Sequence, residues 1–206
     1  VALITGSTKG IGLAIARRMA EAGAKVVISS RNQDACDEVA ADINAHGGEA
    51  LAVACNINYK EQLQALVSKT LDHFGKIDVL VINAALNPFY GPSQDIPDEA
   101  FDKIMHSNIG SAHRLCQLVL PGMAKLGGGA AIIVSSIAGI KGSNVLGAYG
   151  ISKAADMQMA RNLAVEWGPH NIRVNCIAPG LIRTDFARAL WENPETYKHT
   201  VSKYPL

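Results

Sequence analysis

No stretch of this chain is apolar for the roughly 18–20 residues that a membrane-spanning helix needs, because Gly, Pro, Asn or a charge interrupts every run. A surplus of one charge is missing too: 19 Lys and Arg stand against 18 Asp and Glu, a net charge of +1 in 206 residues. Near-neutrality removes the electrostatic case for nucleic acid or an anionic lipid surface. Val1-Ala2-Leu3-Ile4 has no basic segment before it and runs into Thr5-Gly6, which does not read as a secretory signal. There is no C-x-x-C pair; Cys36, Cys55, Cys116 and Cys176 are widely spaced, as buried thiols in a reducing compartment would be. Linkers, charge blocks and repeats are absent as well. What remains is 49% hydrophobic, ample for a core. These features predict a soluble, cytoplasmic protein with one domain over 1–206.

Short β-type runs alternate with longer helical ones. The strand candidates are Val1–Ile4, Lys25–Ser29, Ala50–Cys55, Val79–Asn83, Ala131–Ser135 and Arg173–Ile177. Runs such as Val79-Leu80-Val81-Ile82 show no polar alternation, which fits strands covered on both faces. Helices are predicted at 10–23, 33–46, 59–74, 98–125 and 149–167, with Gly23, Gly47, Gly75 and Gly168 as left-handed stops. The alternation predicts an α/β fold: a doubly wound, Rossmann-type parallel sheet with helices on both faces.

Between the first strand and first helix lies Thr5-Gly6-Ser7-Thr8-Lys9-Gly10-Ile11-Gly12. Glycines there permit a tight turn and close approach to a pyrophosphate, and the helix N-terminus favours its charge. The spacing is G-x-x-x-G-x-G rather than G-x-G-x-x-G. Its position after the first strand of a βα series makes it a dinucleotide site. The second strand ends Ile28-Ser29-Ser30-Arg31-Asn32, without the acid that would bond a ribose 2′-hydroxyl. Arg31, with Lys9 opposite, suits a 2′-phosphate instead, so the coenzyme read here is NADP.

Tyr149-Gly150-Ile151-Ser152-Lys153 places a phenol and an ammonium four residues apart on one helical face. Ser136 lies 13 residues before the tyrosine, just past a predicted strand. Carbonyl reduction needs a proton donor for the forming alkoxide, and a phenol exchanges its proton poorly at neutral pH unless a cation stabilises the phenolate. Lys153 is placed to do that, and Ser136 can hydrogen-bond the substrate oxygen.

With these motifs in this order, the chain resembles the short-chain dehydrogenase/reductase family over nearly its whole length. The resemblance implies that Asn108, in Ser107-Asn108-Ile109-Gly110, completes a catalytic set with Ser136, Tyr149 and Lys153 and holds a water in a proton relay. It implies cofactor contacts from Gly6, Thr8, Lys9, Gly10, Ile11, Gly12, Arg31, Asn56, Ile57, Asn83, Ala84, Tyr149 and Lys153. It adds Pro179, Gly180, Ile182 and Thr184, in Pro179-Gly180-Leu181-Ile182-Arg183-Thr184 after the sixth strand. Two departures stand out: Ile82 and Ala85 replace the first Asn and the Gly of the usual N-N-A-G, and Asn56 stands where an Asp usually bonds the adenine. Asn83 to Gly91, Asn175 to Phe186, and Leu190-Trp191 resemble the NADP-dependent carbonyl and retinal reductases, described as peroxisomal in animals. Within the same family the rivals are a 3-oxoacyl-carrier-protein reductase and a sugar or polyol dehydrogenase; outside enzymes, the rival is an idle NADP-binding regulator.

The family also implies a homotetramer, and a further C-terminal strand with more substrate cover, so the chain reads as part of a longer protein stopping at Tyr204-Pro205-Leu206. The substrate pocket is expected to be mainly apolar, lined by Phe89, Tyr90, Ile137, Leu146, Phe186, Leu190 and Trp191, with Lys141, Arg183 and Arg188 solvated. Apolar or aromatic ketones, aldehydes and dicarbonyls are the small-molecule substrates this predicts. No metal is expected, since His46, His73, His106, His113, His170 and His199 show no ligand spacing such as H-E-x-x-H.

Overall fold

A computed structural model describes residues 1–202, apart from the side chain of His199; the chain's end at Tyr204-Pro205-Leu206 therefore lies outside the described residues. Six strands form one sheet: β1 (Ala2–Thr5), β2 (Lys25–Ser29), β3 (Glu49–Ala52), β4 (Val79–Ile82), β5 (Gly129–Val134) and β6 (Ile172–Ile177). Their order is β3-β2-β1-β4-β5-β6 and every pairing is parallel. Successive strands step outward from β1 on one side and from β4 on the other, so the chain reverses direction across the sheet at β1/β4. In such sheets ligands bind at that switch point, beyond the carboxyl ends of the strands.

The lack of alternation in the strands has the cause that the sequence suggests: both faces are covered. Along β1, Leu3 joins one apolar cluster and Ala2 and Ile4 the other. The first cluster is completed by α3 (Lys60–Phe74), α5 (Ser111–Lys125) and α6 (Gly147–Trp167), the second by α1 (Gly10–Glu21) and α2 (Gln33–Ala45). Leu115 of α5 is 0% exposed in the larger cluster. Leu115→Ala should cost about 2–5 kcal/mol in denaturant unfolding, the sum of lost transfer energy and a residual cavity. A loss under about 1 kcal/mol would contradict tight packing there.

Two expectations need correction. The helix predicted over 98–125 is α4 (Asp98–Met105), a π-turn (His106–Gly110), and then α5. A single widened turn is invisible to a periodicity argument, yet such turns recur at functional sites. Gly23, Gly47 and Gly75 do take positive φ (+87°, +83° and +76°), but Gly168 does not, with φ −53°. The chain continues there through a 3₁₀ turn, and the left-handed residue is Asn171, φ 58°. Beyond β6 the chain forms a 3₁₀ turn and two short helices, α7 (Arg188–Trp191) and α8 (Pro194–Val201). Among the described residues no helix is long and apolar enough to cross a membrane.

Candidate active site

The glycine turn is built by its neighbours as much as by its glycines. Ser7 donates its hydroxyl to the Ile4 carbonyl at 2.8 Å and accepts from the Ser29 amide at 2.8 Å, which moors the turn to β2. Gly6 and Gly10 hold φ +66° and +57°, the left-handed region that other residues enter at a cost. At Gly12 the constraint is space: an added Cβ would lie 2.3 Å from the Gly6 carbonyl oxygen and 2.6 Å from Asn83 Nδ2. Helix α1 starts after Lys9, whose side chain makes no capping hydrogen bond. Its first amides are thus not satisfied by a side-chain cap, as an anion site requires.

The end of β4 is tied to this turn. Thr5, 1% exposed, accepts at Oγ1 from the amides of Asn83 and Ala84 at 3.0 and 3.1 Å. Asn83 Nδ2 donates back to the carbonyls of Thr5 and Gly6 at 3.0 and 3.1 Å. Asn83 is therefore a brace between the two central strands. Thr5 was not singled out from sequence, because a Thr ending a strand gives no signal until its partner strand is known.

Beyond β5, Ser136 caps a 3₁₀ turn by accepting from the Ala138 amide at 3.1 Å, and its hydroxyl faces Tyr149. The Tyr149 phenol is half-buried and pushed up to about 12, chiefly by burial; Ser136 opposes this and the carboxylate of Asp156 adds to it. Lys153, 3% exposed, donates from Nζ to the Val134 carbonyl at 2.9 Å and to Asp156 Oδ2 at 2.9 Å. The ammonium lies 5.7 Å from the centre of the Tyr149 ring. The expectation of a phenolate eased by Lys153 thus meets a lysine whose charge is answered by an acid three residues on. That acid sits one turn along the same helix, so its spacing was readable; its burial was not.

Asn108 lies in the π-turn and is 3% exposed. Its Oδ1 accepts from the Leu86 amide at 2.9 Å, and Nδ2 donates to the Leu86 carbonyl and Ser152 Oγ at 3.1 and 3.0 Å. Both amide protons are therefore spent. The side chain stands behind the wall of the site, holding the loop after β4 against α6.

A continuous cavity of about 1000 Å³ runs from the glycine turn to Tyr149. Gly6, Thr8, Lys9, Ile11, Arg31, Asn56, Ile57, Asn83, Ala84, Ser136, Tyr149, Lys153, Pro179, Gly180, Ile182 and Thr184 all line it. Of the predicted site residues, Gly10, Gly12 and Asn108 are not on its surface. Among the expected substrate-side residues, Tyr90, Ile137, Leu146, Phe186 and Leu190 are on the wall, but Phe89 and Trp191 are not. The Phe89 ring covers Gly91, where a Cβ would come within 2.9 Å of it. Trp191 is turned to the chain, donating Nε1–H to the Thr184 carbonyl at 2.8 Å. The expected solvation of three cations holds, since Lys141, Arg183 and Arg188 are all exposed. Arg183 lies over the Trp191 and Tyr197 rings at 5.4 and 5.7 Å, Arg188 pairs with Asp185 at 2.8 Å, and Lys141, exposed, forms part of the rim.

The family model for short chain dehydrogenase matches residues 1–195. Dehydrogenase/reductase SDR family member 4 of Bos taurus is 46% identical over 194 residues, covering 94% of this chain and 70% of that protein. The Homo sapiens counterpart is 44% identical over 204 residues, covering 98% and 73%. A solved 7 alpha-hydroxysteroid dehydrogenase, complexed with NADH and 7-oxo glycochenodeoxycholic acid, superposes with TM-score 0.93 at 39% identity, covering 98% of this chain and 78% of that one. A short-chain type dehydrogenase/reductase from Mycobacterium ulcerans superposes with TM-score 0.95 at 29% identity, covering 100% and 76%. With its parallel sheet, glycine turn and Ser136–Tyr149–Lys153 grouping, the chain belongs to the short-chain dehydrogenase/reductase family.

Proposed function

We propose that this protein transfers a hydride between NADP(H) and a carbonyl or alcohol, with apolar or aromatic ketones, aldehydes and dicarbonyls as its substrate class. The observation that carries the reading is the composition of the cavity wall. Lys9, Arg31, Lys141 and Lys153 line it, and no Asp or Glu does among the described residues. A 2′-phosphate near Arg31 would meet cations and no repelling carboxylate. The glycine turn fits a dinucleotide, since the Gly12 backbone leaves no room for a side chain and the α1 amides face outward uncapped.

A nicotinamide coenzyme held by the glycine turn and Lys153 would supply hydride chemistry for the carbonyl carbon. The protein handles the oxygen: Ser136 Oγ hydrogen-bonds it, and Tyr149 Oη gives up its proton to it, completing the alcohol. A phenol pushed up to about 12 keeps its proton through neutral pH, the state that reduction needs. Lys153 has one N–H beyond those donated to Val134 and Asp156, available for a ribose hydroxyl. Asn108 shapes the wall from behind.

At the substrate end, Tyr90, Ile137, Leu146, Phe186 and Leu190 present apolar surface, which favours burying a hydrocarbon at about 25 cal/mol per Å². A carboxylate or sugar would meet no charged partner among these five residues. The proposal includes a homotetramer: Phe101 on α4 and Ile151 and Val165 on α6 are 37%, 57% and 81% exposed, apolar area that a neighbouring subunit would cover.

Since the similar hydroxysteroid enzyme was solved with NADH, comparing coenzymes is the deciding measurement. NADPH should exceed NADH at least about tenfold in kcat/KM, because a charge-assisted bond to the 2′-phosphate contributes roughly 1.5–3 kcal/mol. Arg31→Ala should erase most of that gap and Lys9→Ala part of the remainder. Equal efficiency with both coenzymes would refute the assignment. For substrate class, a phenyl dione should outperform an acetoacetyl thioester and an aldose; a clear win for either of the latter points to a rival branch.

A further inference from the structure

Asp156 has no part in the reaction as derived above, yet it is the acid buried closest to it. It is 1% exposed on α6, bonds Lys153 Nζ through Oδ2 at 2.9 Å, and leaves Oδ1 buried without a hydrogen-bond donor among the described residues. An acid in this position is costly to bury and is destabilising unless a charge answers it. Packing alone does not explain it, since Ala160 and Leu163, further along the same helix, are apolar in the same core cluster.

We propose that Asp156 is a positioning residue of the site. Through Oδ2 it fixes the Lys153 ammonium against the end of β5 and offsets its charge beside Tyr149, keeping the phenol protonated to higher pH. The proposal rests on the oxidoreductase reading of Tyr149 and Lys153.

Three contacts define the geometry. Lys153 Nζ is held from the sheet by the Val134 carbonyl and from its own helix by Asp156, each at 2.9 Å. The Lys153 backbone is held as well, its carbonyl accepting from Ser135 Oγ at 2.7 Å. The ammonium therefore cannot swing freely toward the phenol, 5.7 Å from its ring centre. Cys116 of α5 and Cys176 of β6 both feel Asp156, but burial pushes both thiols up, Cys116 to about 12, so they stay neutral. Tyr149 itself faces Ser136, which carries no charge, and the Phe186 ring at 6.0 Å. Burial pushes the Asp156 carboxyl up while Lys153 holds it down. Among the described residues Asp156 is thus the one carboxylate whose charge acts on the phenol, and it raises it.

The sign follows. Removing the negative charge leaves Lys153 uncompensated, so the phenolate becomes easier to form and the phenol titrates at lower pH. Cofactor-free protein labelled with ζ-¹³C tyrosine reads this without turnover, Tyr149→Phe assigning the resonance. In wild type the Tyr149 signal should stay unmoved through about pH 11, a unit above a free phenol. In Asp156→Asn, which keeps shape and a hydrogen-bonding oxygen, and in Asp156→Leu, the onset should fall by about one pH unit or more. Pairing Asp156→Leu with Lys153→Met removes both charges, leaves neither stranded, and should restore near wild-type behaviour. In turnover, the alkaline limb of the reduction profile of Asp156→Asn should move down by the same interval. An unmoved resonance together with an unmoved profile would overturn the proposal while leaving the enzyme assignment intact. A shifted resonance in a protein inactive on every carbonyl and alcohol would retain the electrostatic role and overturn the oxidoreductase reading instead.

Discussion

Tyr149→Phe should lower kcat for carbonyl reduction by roughly 10²–10⁴-fold or more, the size of a lost general acid. The ring stays, so its contact with Phe186, 6.0 Å between centres, and the packing of α6 should persist. Coenzyme affinity, read by quenching or energy transfer to NADPH, should change less than about threefold, roughly 0.65 kcal/mol. That split separates a proton donor from a structural tyrosine, which would weaken binding and folding together. Ser136→Ala should fall in the same direction but less steeply, since it removes an orienting hydrogen bond and not the proton. Wild-type turnover in Tyr149→Phe would remove the tyrosine from the mechanism.

Gly12→Ala should be the most damaging single methyl group in the molecule. Its Cβ would stand 2.3 Å from the Gly6 carbonyl oxygen, a rigid backbone atom, and 2.6 Å from Asn83 Nδ2. Relief requires opening the turn, which breaks the Asn83 bonds to the Thr5 and Gly6 carbonyls. Overpacking of this kind costs about 1–3 kcal/mol. The buried groups left unpaired add about 1–3 kcal/mol more. Urea unfolding should register the loss, and NADPH titration should show affinity reduced by at least about tenfold because the anion cradle is displaced. Gly23→Ala is the contrast: nothing lies within 4 Å of its added Cβ, so only its φ of +87° is strained. Its cost should stay near 1 kcal/mol, with coenzyme binding unchanged. Similar effects at both positions would mean that the turn is not tight.

How far the sequence reached depended on whether a feature was local. Strand order could not be read from any strand taken alone, but the unbroken apolar runs already required a sheet covered on both sides. The glycine spacing and the Tyr149–Lys153 interval placed two halves of one site at strand ends before any fold was known. Where the reading slipped, the cause was non-local in each case. Gly168 resembled its three fellow stops, but the chain had one more turn to make before Asn171. The π-turn at Asn108 is set by what Ser152 and Leu86 offer to its amide, and those partners lie 44 and 22 residues away. Phe89 and Trp191 are apolar and close in sequence to wall residues, yet each is claimed by a residue nearby in the chain, Gly91 and Thr184.

The amino-acid sequence by itself determined the class of fold, the glycine turn after β1 and the Tyr149–Lys153 interval, because each is carried by a short spacing that backbone geometry turns directly into position. Only the tertiary structure decided the electrostatics. Lys153 and Asp156 are three residues apart on any reading of the chain, but whether they form a solvated pair or a buried one depends on the sheet beneath them. The packing of α6 on β5 and β6 excludes water from both, and in that low-dielectric setting an acid becomes a partner that the lysine cannot ignore.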